Sequence, residues 1–257
     1  MNIADSKYLL FVGSGRTGST LVGQLLNRHP EVVVSNELRV LQYCVVNGLP
    51  INEKLAEIVE KADESFLSVG RRQVNPLAMI RAYRWHRDWN GGRRFRSAES
   101  LKKSSVIKYI GDKKQGGNSR LIIENEEKVY QALREIQWLP ISVLRDPQQI
   151  VASSARLGFV SDTDIVRGMT DFRVGIELVR KHAGILVDYN KLINYPTECA
   201  RQLCKQLAID DDENWLAFVN AIVNKKKSPR VKLKVSGRNA ELIEEMRQLW
   251  VEVIDQI

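Results

Sequence analysis

The sequence predicts an α/β protein: a central parallel sheet between two layers of helices. Short apolar runs of strand length, at Tyr8–Val12, Val32–Val34, Trp138–Leu144 and Gly184–Asp188, alternate with stretches of helical periodicity, the order of elements that builds a parallel sheet. Those runs are apolar almost throughout, as strands buried on both faces are. The first run also ends in a glycine-rich turn that opens directly into a helix. At 257 residues the chain suits one α/β domain with a sizeable core.

Taken in order, the strand Tyr8–Val12 leads through the loop Gly13–Gly18 to a helix marked by Leu21, Val22, Leu25 and Leu26. Ser19 and Thr20 suit its start, and His29-Pro30 ends it. After the strand Val32–Val34, Ser35 to Leu38 leads into a helix carrying Leu38, Leu41, Tyr43, Val45 and Val46. The stretch from about 49 to 103 is the least regular and reads as a basic helical insertion into the 1–257 domain. It holds helices at Asn52–Ser65 and Pro76–Trp89, with Trp85 and Trp89 one turn apart as an aromatic ridge. A basic loop follows, Gly91-Gly92 then Arg93 to Arg96. Such an insertion over the mouth of a sheet is where an acceptor pocket is built.

Ser105–Ile110 reads as a central strand with Gly111–Gly117 as the loop at its end. A helix at Asn118–Ile136 and the strand Trp138–Leu144 come next. Pro147 then opens a helix that Asp146 caps. Helices follow at Asp162–His182, Lys191–Leu207, Asp212–Asn224 and Asn239–Ile254, with the strand Gly184–Asp188 running into Tyr189. Lys225 to Arg230 is a basic loop between the last two helices.

The net charge of +8 is concentrated. Between Arg71 and Lys114 thirteen Lys and Arg face three acids, 13 − 3 = +10, a field that attracts anions or is simply a solvated face. Cys44, Cys199 and Cys204 are too few and too scattered for a disulfide framework or a zinc site. Cys199 and Cys204 read as small packing residues of a helix. No apolar run reaches the ~20 residues of a membrane span, and the first strand starts too early for a signal peptide ahead of it. The expectation is a soluble cytoplasmic protein.

Strand, glycine loop and helix make a phosphate cradle, because loop amides and the helix N-terminus point at one anion. Gly13, Gly18 and Thr20 fit the nucleotide phosphate loop G-x-x-x-x-G-K-[ST]. Ser19, however, stands at the lysine position, and the cation sits earlier, at Arg16. The nucleotide lysine reaches terminal phosphates, so its displacement points to a different anionic group. Farther on, Arg145 closes an apolar strand, and Ser153 lies two turns along the next helix.

With these residues the chain resembles the sulfotransferases that use 3′-phosphoadenosine-5′-phosphosulfate (PAPS), whose fold is a P-loop-type three-layer α/β/α. Gly15-Arg-Thr-Gly-Ser-Thr-Leu21 is similar to their 5′-phosphosulfate loop, Lys/Arg-Ser/Thr-Gly-Ser/Thr-Ser/Thr, and Arg145 with Ser153 to their 3′-phosphate signature. The resemblance implies a cofactor site of Gly15, Arg16, Thr17, Gly18, Ser19, Thr20, Arg145 and Ser153. It is strongest toward the tyrosylprotein and carbohydrate branches. There a His-Pro-Glu-Val segment, here His29 to Val32, precedes a glutamate base, here Glu37. Lys113 resembles the lysine that contacts the leaving group. Asp188-Tyr-Asn-Lys-Leu192 resembles a Tyr-Glu-x-Leu element, which implies that Tyr189 lines the cofactor site, although Asn190 replaces the usual acid. Arg16, Glu37 and Lys113 are the implied catalytic residues, with His86 a rival base.

The implied reaction is in-line transfer of a sulfuryl group from PAPS to a hydroxyl or amine, releasing adenosine 3′,5′-bisphosphate (PAP), with no metal. The acceptor stays open among a carbohydrate, a lipid, a peptide and a small molecule, and no nucleic-acid partner is expected. Two other readings exist: a small-molecule kinase with Asp188 as its magnesium carboxylate, and a non-catalytic polyanion binder using the basic segment.

Overall fold

A computed structural model describes residues 3, 5–68, 106–156, 158, 161–223 and 237–256. The expected helix Pro76–Trp89 with Trp85, His86 and Trp89, the basic loop at 91–96 and the basic loop at 225–230 lie outside the described residues, as does most of the insertion at 49–103.

Five strands form one sheet in the order β2-β3-β1-β4-β5. They are β1 (Lys7–Val12), β2 (Val32–Asn36), β3 (Tyr109–Lys113), β4 (Trp138–Leu144) and β5 (Ile185–Asp188). The pairings β1–β3, β2–β3 and β4–β5 are parallel, and helices flank the sheet, as the fold class predicted. The all-apolar runs behave as their composition demands. Tyr8 to Val12 and Val32 to Val34 have essentially no exposed surface.

The described residues form two compact units. One comprises residues 3, 5–10, 20–68, 106–114 and 125–138, the other 11–19, 115–124, 139–156, 158, 161–223 and 237–256. In the first, α2 (Val40–Asn47) and a 3₁₀ turn (Ile51–Lys54) precede α3 (Leu55–Ser68). The β2 edge is fastened to α3 where the Asn36 amide donates to Ser65 Oγ at 2.7 Å. In the second, α5 (Pro147–Ala155), α6 (Asp162–Lys181) and α10 (Arg238–Ile254) share a core of Ile150, Val151, Ile165, Met169, Phe172, Ile176, Ile243 and Met246. Asp146 caps α5 by accepting from the Gln148 amide at 2.8 Å, with Pro147 in the first turn, as predicted. The remaining helices are α1 (Ser19–Leu26), α4 (Gln115–Leu133), α7 (Tyr189–Asn194), α8 (Pro196–Leu207) and α9 (Glu213–Val223).

Several boundaries differ from the sequence reading. β3 runs over Tyr109–Lys113 rather than Ser105–Ile110, so Gly111, Asp112 and Lys113 are strand, not loop. The register explains it. Val32 to Asn36 pair one for one with Tyr109 to Lys113, and the polar side chains at this strand end find buried partners. β2 likewise extends through Ser35 and Asn36. The helix expected at Asn118–Ile136 starts at Gln115, because Gly116-Gly117 belongs to its first turn. The helix expected at Lys191–Leu207 is two, broken at Tyr195. Pro196 lacks the amide a continuous helix needs and disfavours helical dihedrals in the residue before it.

Cys199 and Cys204 are buried on α8 and Cys44 on α2. Burial pushes the thiols of Cys44 and Cys199 up to about 11, which makes them packing groups rather than nucleophiles. Among the described residues no helix is long and apolar enough to cross a membrane.

Candidate functional site

The loop after β1 belongs to the second unit. Gly13 and Gly18 both adopt positive φ, 110° and 105°, and so does Arg16, at 66°. Gly18 is required twice over. An L-residue there is strained, and a Cβ would lie 2.2 Å from the Tyr189 ring. A Cβ on Gly13 would meet Gln115 Nε2 and Ser142 Oγ at 2.6 Å. Arg16 has no such licence, and its left-handed conformation costs about 1–2 kcal/mol, a strain of the kind that collects at functional sites.

Arg145 directly follows β4, and its guanidinium reaches back to the loop. Nη1 donates to the Arg16 carbonyl at 3.3 Å, and Nε donates to Gln149 Oε1 at 3.1 Å. The Tyr189 ring centroid lies 4.7 Å from Cζ, a cation–π distance. Arg16 Nε donates to Ser153 Oγ at 3.4 Å. Residues expected from two motifs 129 positions apart thus meet: Arg16 and Gly18 of the loop with Arg145, Ser153 and Tyr189. Thr17 is the exception. Its hydroxyl turns inward to the Ser14 carbonyl and Gln115 Oε1, so only its amide remains for an anion.

The loop is held from beneath by residues that the sequence reading passed over. The first turn of α4 supplies Ser119, whose Oγ accepts from the Gly13 amide at 2.7 Å, and Asn118, whose Nδ2 donates to the Phe11 carbonyl at 2.9 Å. Gln115 Nε2 also donates to the Val143 carbonyl at 3.2 Å. The Gly116-Gly117 pair looked like loop, and that concealed a helix start at Gln115. The available signal was the run of small polar residues Asn118-Ser119 just ahead of the apolar Leu121 and Ile122.

The first unit holds a different cluster. Lys113, at the end of β3 and 4% exposed, donates from Nζ to Thr20 Oγ1 at 3.0 Å and to Glu37 Oε1 at 3.2 Å. Lys114 Nζ donates to Glu37 Oε2 at 3.0 Å. Burial alone would raise the Glu37 carboxyl, but the two ammonium groups overcome it and bring it down to about 2. Burial lowers the Lys113 ammonium from its usual range, and Glu37 opposes that shift.

Glu37 lies neither in β2 nor in α2. It occupies a bend in which it and Arg39 both have φ of 62°. Asp112, buried on β3, stabilises that bend: its carboxylate accepts from Ser35 Oγ at 2.8 Å, the Leu38 amide at 3.0 Å and the Val40 amide at 3.1 Å. Asp112 was read as part of a loop. Its role depends on β3 lying beside β2, which no local pattern announces.

Asp188, the magnesium carboxylate of the kinase reading, caps α7 and accepts from the Asn190 amide at 2.8 Å. Burial pushes its carboxyl up. The amide at the start of α7 opposes that shift and already occupies Oδ1 of the carboxylate.

No family profile and no curated protein sequence matches the chain. Solved sulfotransferase structures follow a similar path at low identity. Sulfotransferase STF9 from Mycobacterium avium is 13% identical with a TM-score of 0.48, the match covering 100% of this chain and 78% of that one. The sulfotransferase domain of the Synechococcus PCC 7002 olefin synthase is 15% identical with a TM-score of 0.48, covering 96% and 94%. The sulfotransferase domain from the curacin biosynthetic pathway is 10% identical with the same score, covering 94% and 97%. These values describe a likeness of chain path and carry no residue's role with them.

Proposed function

We propose that the protein is a sulfotransferase that moves a sulfuryl group from PAPS to a hydroxyl or amine of an acceptor. The observation that carries this is the meeting of Arg16, Ser153 and Arg145 around a glycine loop that lacks the nucleotide lysine. Two phosphate-binding motifs serve a cosubstrate with two separate phosphates better than they serve a nucleoside triphosphate.

In this reading Arg16 and the amides of Gly15, Thr17, Gly18, Ser19 and Thr20 hold the 5′-phosphosulfate. Arg145 and Ser153 hold the 3′-phosphate, and Tyr189 lines the nucleotide. The acceptor oxygen attacks sulfur as the bond from sulfur to the phosphate oxygen breaks. The acceptor proton passes to Glu37, and Lys113 stabilises charge on the departing phosphate. Positioning and charge stabilisation supply most of the acceleration. The His29-Pro-Glu-Val32 segment followed by Glu37 supports a likeness to the tyrosylprotein and carbohydrate branches, and the acceptor class stays open among carbohydrate, lipid, peptide and small molecule.

A carboxyl held near 2 is a weak base. As Lys113 turns to the leaving phosphate, Glu37 loses one of its two cations and becomes a better proton acceptor. The resting ion pair thereby links proton uptake to departure of the leaving group.

Calorimetry with adenosine 3′,5′-bisphosphate and with Mg-ATP, on wild type and Arg145→Ala, tests the proposal. Metal-independent bisphosphate binding that is lost in the variant is expected. ATP binding only with magnesium, and no bisphosphate binding, would overturn it. A sulfuryl-transfer screen with tyrosine peptides, carbohydrates and simple alcohols then separates the acceptor classes.

A further inference from the structure

Arg16 stands in the left-handed region, with φ of 66°, in a loop where Gly13 and Gly18 also have positive φ. A residue with a side chain is strained there, and the conformation persists only where its surroundings hold it. One restraint is the side chain of Arg145, whose Nη1 donates to the Arg16 carbonyl at 3.3 Å. A charged guanidinium is a strong donor, and this one is itself anchored. Its Nε donates to Gln149 Oε1 of α5 at 3.1 Å, the Tyr189 ring centroid lies 4.7 Å from Cζ, and the residue is 7% exposed. The Asp146 carboxylate acts on the same guanidinium. A second link runs the other way, from Arg16 Nε to Ser153 Oγ at 3.4 Å. The two motifs thus hold each other: Arg145 grips the backbone of Arg16, and Ser153 receives its side chain. Every member of this cross-brace lies in the second unit.

Building on the assignment of Arg145 and Ser153 to the 3′-phosphate under the proposed function, we propose that Arg145 is also a positioning residue for the loop. It aims the Thr17 amide at the 5′-phosphate, so that one side chain serves both phosphate subsites.

The geometry of a single peptide group carries this. The Arg16 carbonyl and the Thr17 amide share one plane and point in opposite directions, so fixing the first aims the second. The Thr17 hydroxyl is already engaged with the Ser14 carbonyl and Gln115 Oε1, and the Gly13 amide with Ser119 Oγ. Those bonds fix the flanks of the loop, whereas the Arg145 bond acts on the carbonyl of the strained residue itself. Without it, Arg16 relaxes toward ordinary dihedrals, the peptide turns, and any ligand that needs the Thr17 amide binds only to the fraction of molecules that keep the native loop. Donor selection follows: the group that recognises the 3′-phosphate also shapes the 5′ end of the site.

The test is titration calorimetry of adenosine 3′,5′-bisphosphate and of adenosine 5′-monophosphate into the full chain at fixed salt. The monophosphate lacks the phosphate assigned to Arg145, so a residue that serves that phosphate alone leaves its affinity unchanged. In Arg145→Ala the monophosphate should bind about tenfold more weakly. Arg16→Gly adopts the left-handed backbone without strain, whereas Arg16→Ala keeps the strain. Adding Arg145→Ala should therefore cost monophosphate binding about tenfold in the Arg16→Ala background and about threefold or less in the Arg16→Gly background. Gln149→Ala, at a half-buried position, removes an anchor of Arg145, should weaken monophosphate binding about threefold, and keeps the test decisive if Arg145→Ala does not fold. Full monophosphate affinity in Arg145→Ala, or in Gln149→Ala where the first does not fold, would overturn the positioning role, and weakened bisphosphate binding in the same variant would leave the proposed function standing. Equal costs in the two Arg16 backgrounds would overturn it as well, by assigning Arg145 a direct contact with the 5′-phosphate. No binding of either nucleotide to wild type would overturn the proposed function and the positioning role together.

Discussion

The two charged clusters handle their cations in opposite ways. In the second unit, Arg145 donates to a carbonyl and a side-chain amide and lies over an aromatic ring, with the Asp146 carboxylate acting on it as well. In the first unit, Lys113 and Lys114 close on one carboxylate, and much of their field is consumed internally. Under the proposed function the first arrangement serves to hold an anion and the second serves the transfer step. Both clusters place a non-glycine residue at positive φ, Arg16 in one and Glu37 in the other, and both rely on buried polar groups of the β3–α4 segment to hold that strain. Asp112 serves Glu37, while Gln115, Asn118 and Ser119 brace the loop that carries Arg16.

The sharpest way to break this contrast is Glu37→Ala. Turnover with a competent acceptor should fall about a thousandfold, within the usual range for loss of a general base, while bisphosphate affinity is retained. Glu37→Gln should tighten bisphosphate binding severalfold, since two ammonium groups are released from their partner. Weaker binding in that variant would show that the pair does not restrain the lysines.

Arg145→Ala should act in the reverse sense. Bisphosphate affinity falls about a hundredfold, as expected for charged hydrogen bonds worth about 1.5–3 kcal/mol, measured by calorimetry at fixed salt. Gly18→Ala should destabilise the fold by about 2–3 kcal/mol, since it combines a strained φ with the Tyr189 clash. Denaturant unfolding reads this, and pairing the change with Tyr189→Ala should recover only the part due to the clash.

The smallest effect is in acid. The Glu37 carboxyl is lower in the folded chain than unfolded, so its stabilising contribution is complete above about 4.5 and is lost as pH falls toward about 2. With roughly a third of the side chain exposed, solvent screening holds that contribution to about 1 kcal/mol. The stability difference between wild type and Glu37→Gln should therefore shrink from pH 5 to pH 2. A difference constant across that window would mean that the ion pair contributes nothing.

Where a local pattern carried the information, the sequence was legible. Continuous apolar runs defined β1, β4 and β5, Asp146-Pro147 defined the start of α5, and glycine spacing located the turn after β1. It was not legible where partners lie far apart in the chain. Ser105–Ile110 and Tyr109–Lys113 are comparable strand candidates by composition, and only pairing with Val32–Asn36 chooses between them. That choice moves Asp112 and Lys113 from a loop into buried positions, one bracing the bend at Glu37 and the other paired with its carboxylate. Pro196 was visible in the sequence, and the helix break at Tyr195 could have been read from it.

By itself the sequence determined the class of fold, the glycine-rich turn after the first strand and the place of its arginine, because each is encoded within a few consecutive residues. Tertiary structure alone decided that Arg145 would reach the Arg16 carbonyl, that Tyr189 would press on Gly18 and that Glu37 would lie between two lysines. These outcomes depend on strand register and helix packing, which sum weak contacts over the whole chain and leave no signature at any one position.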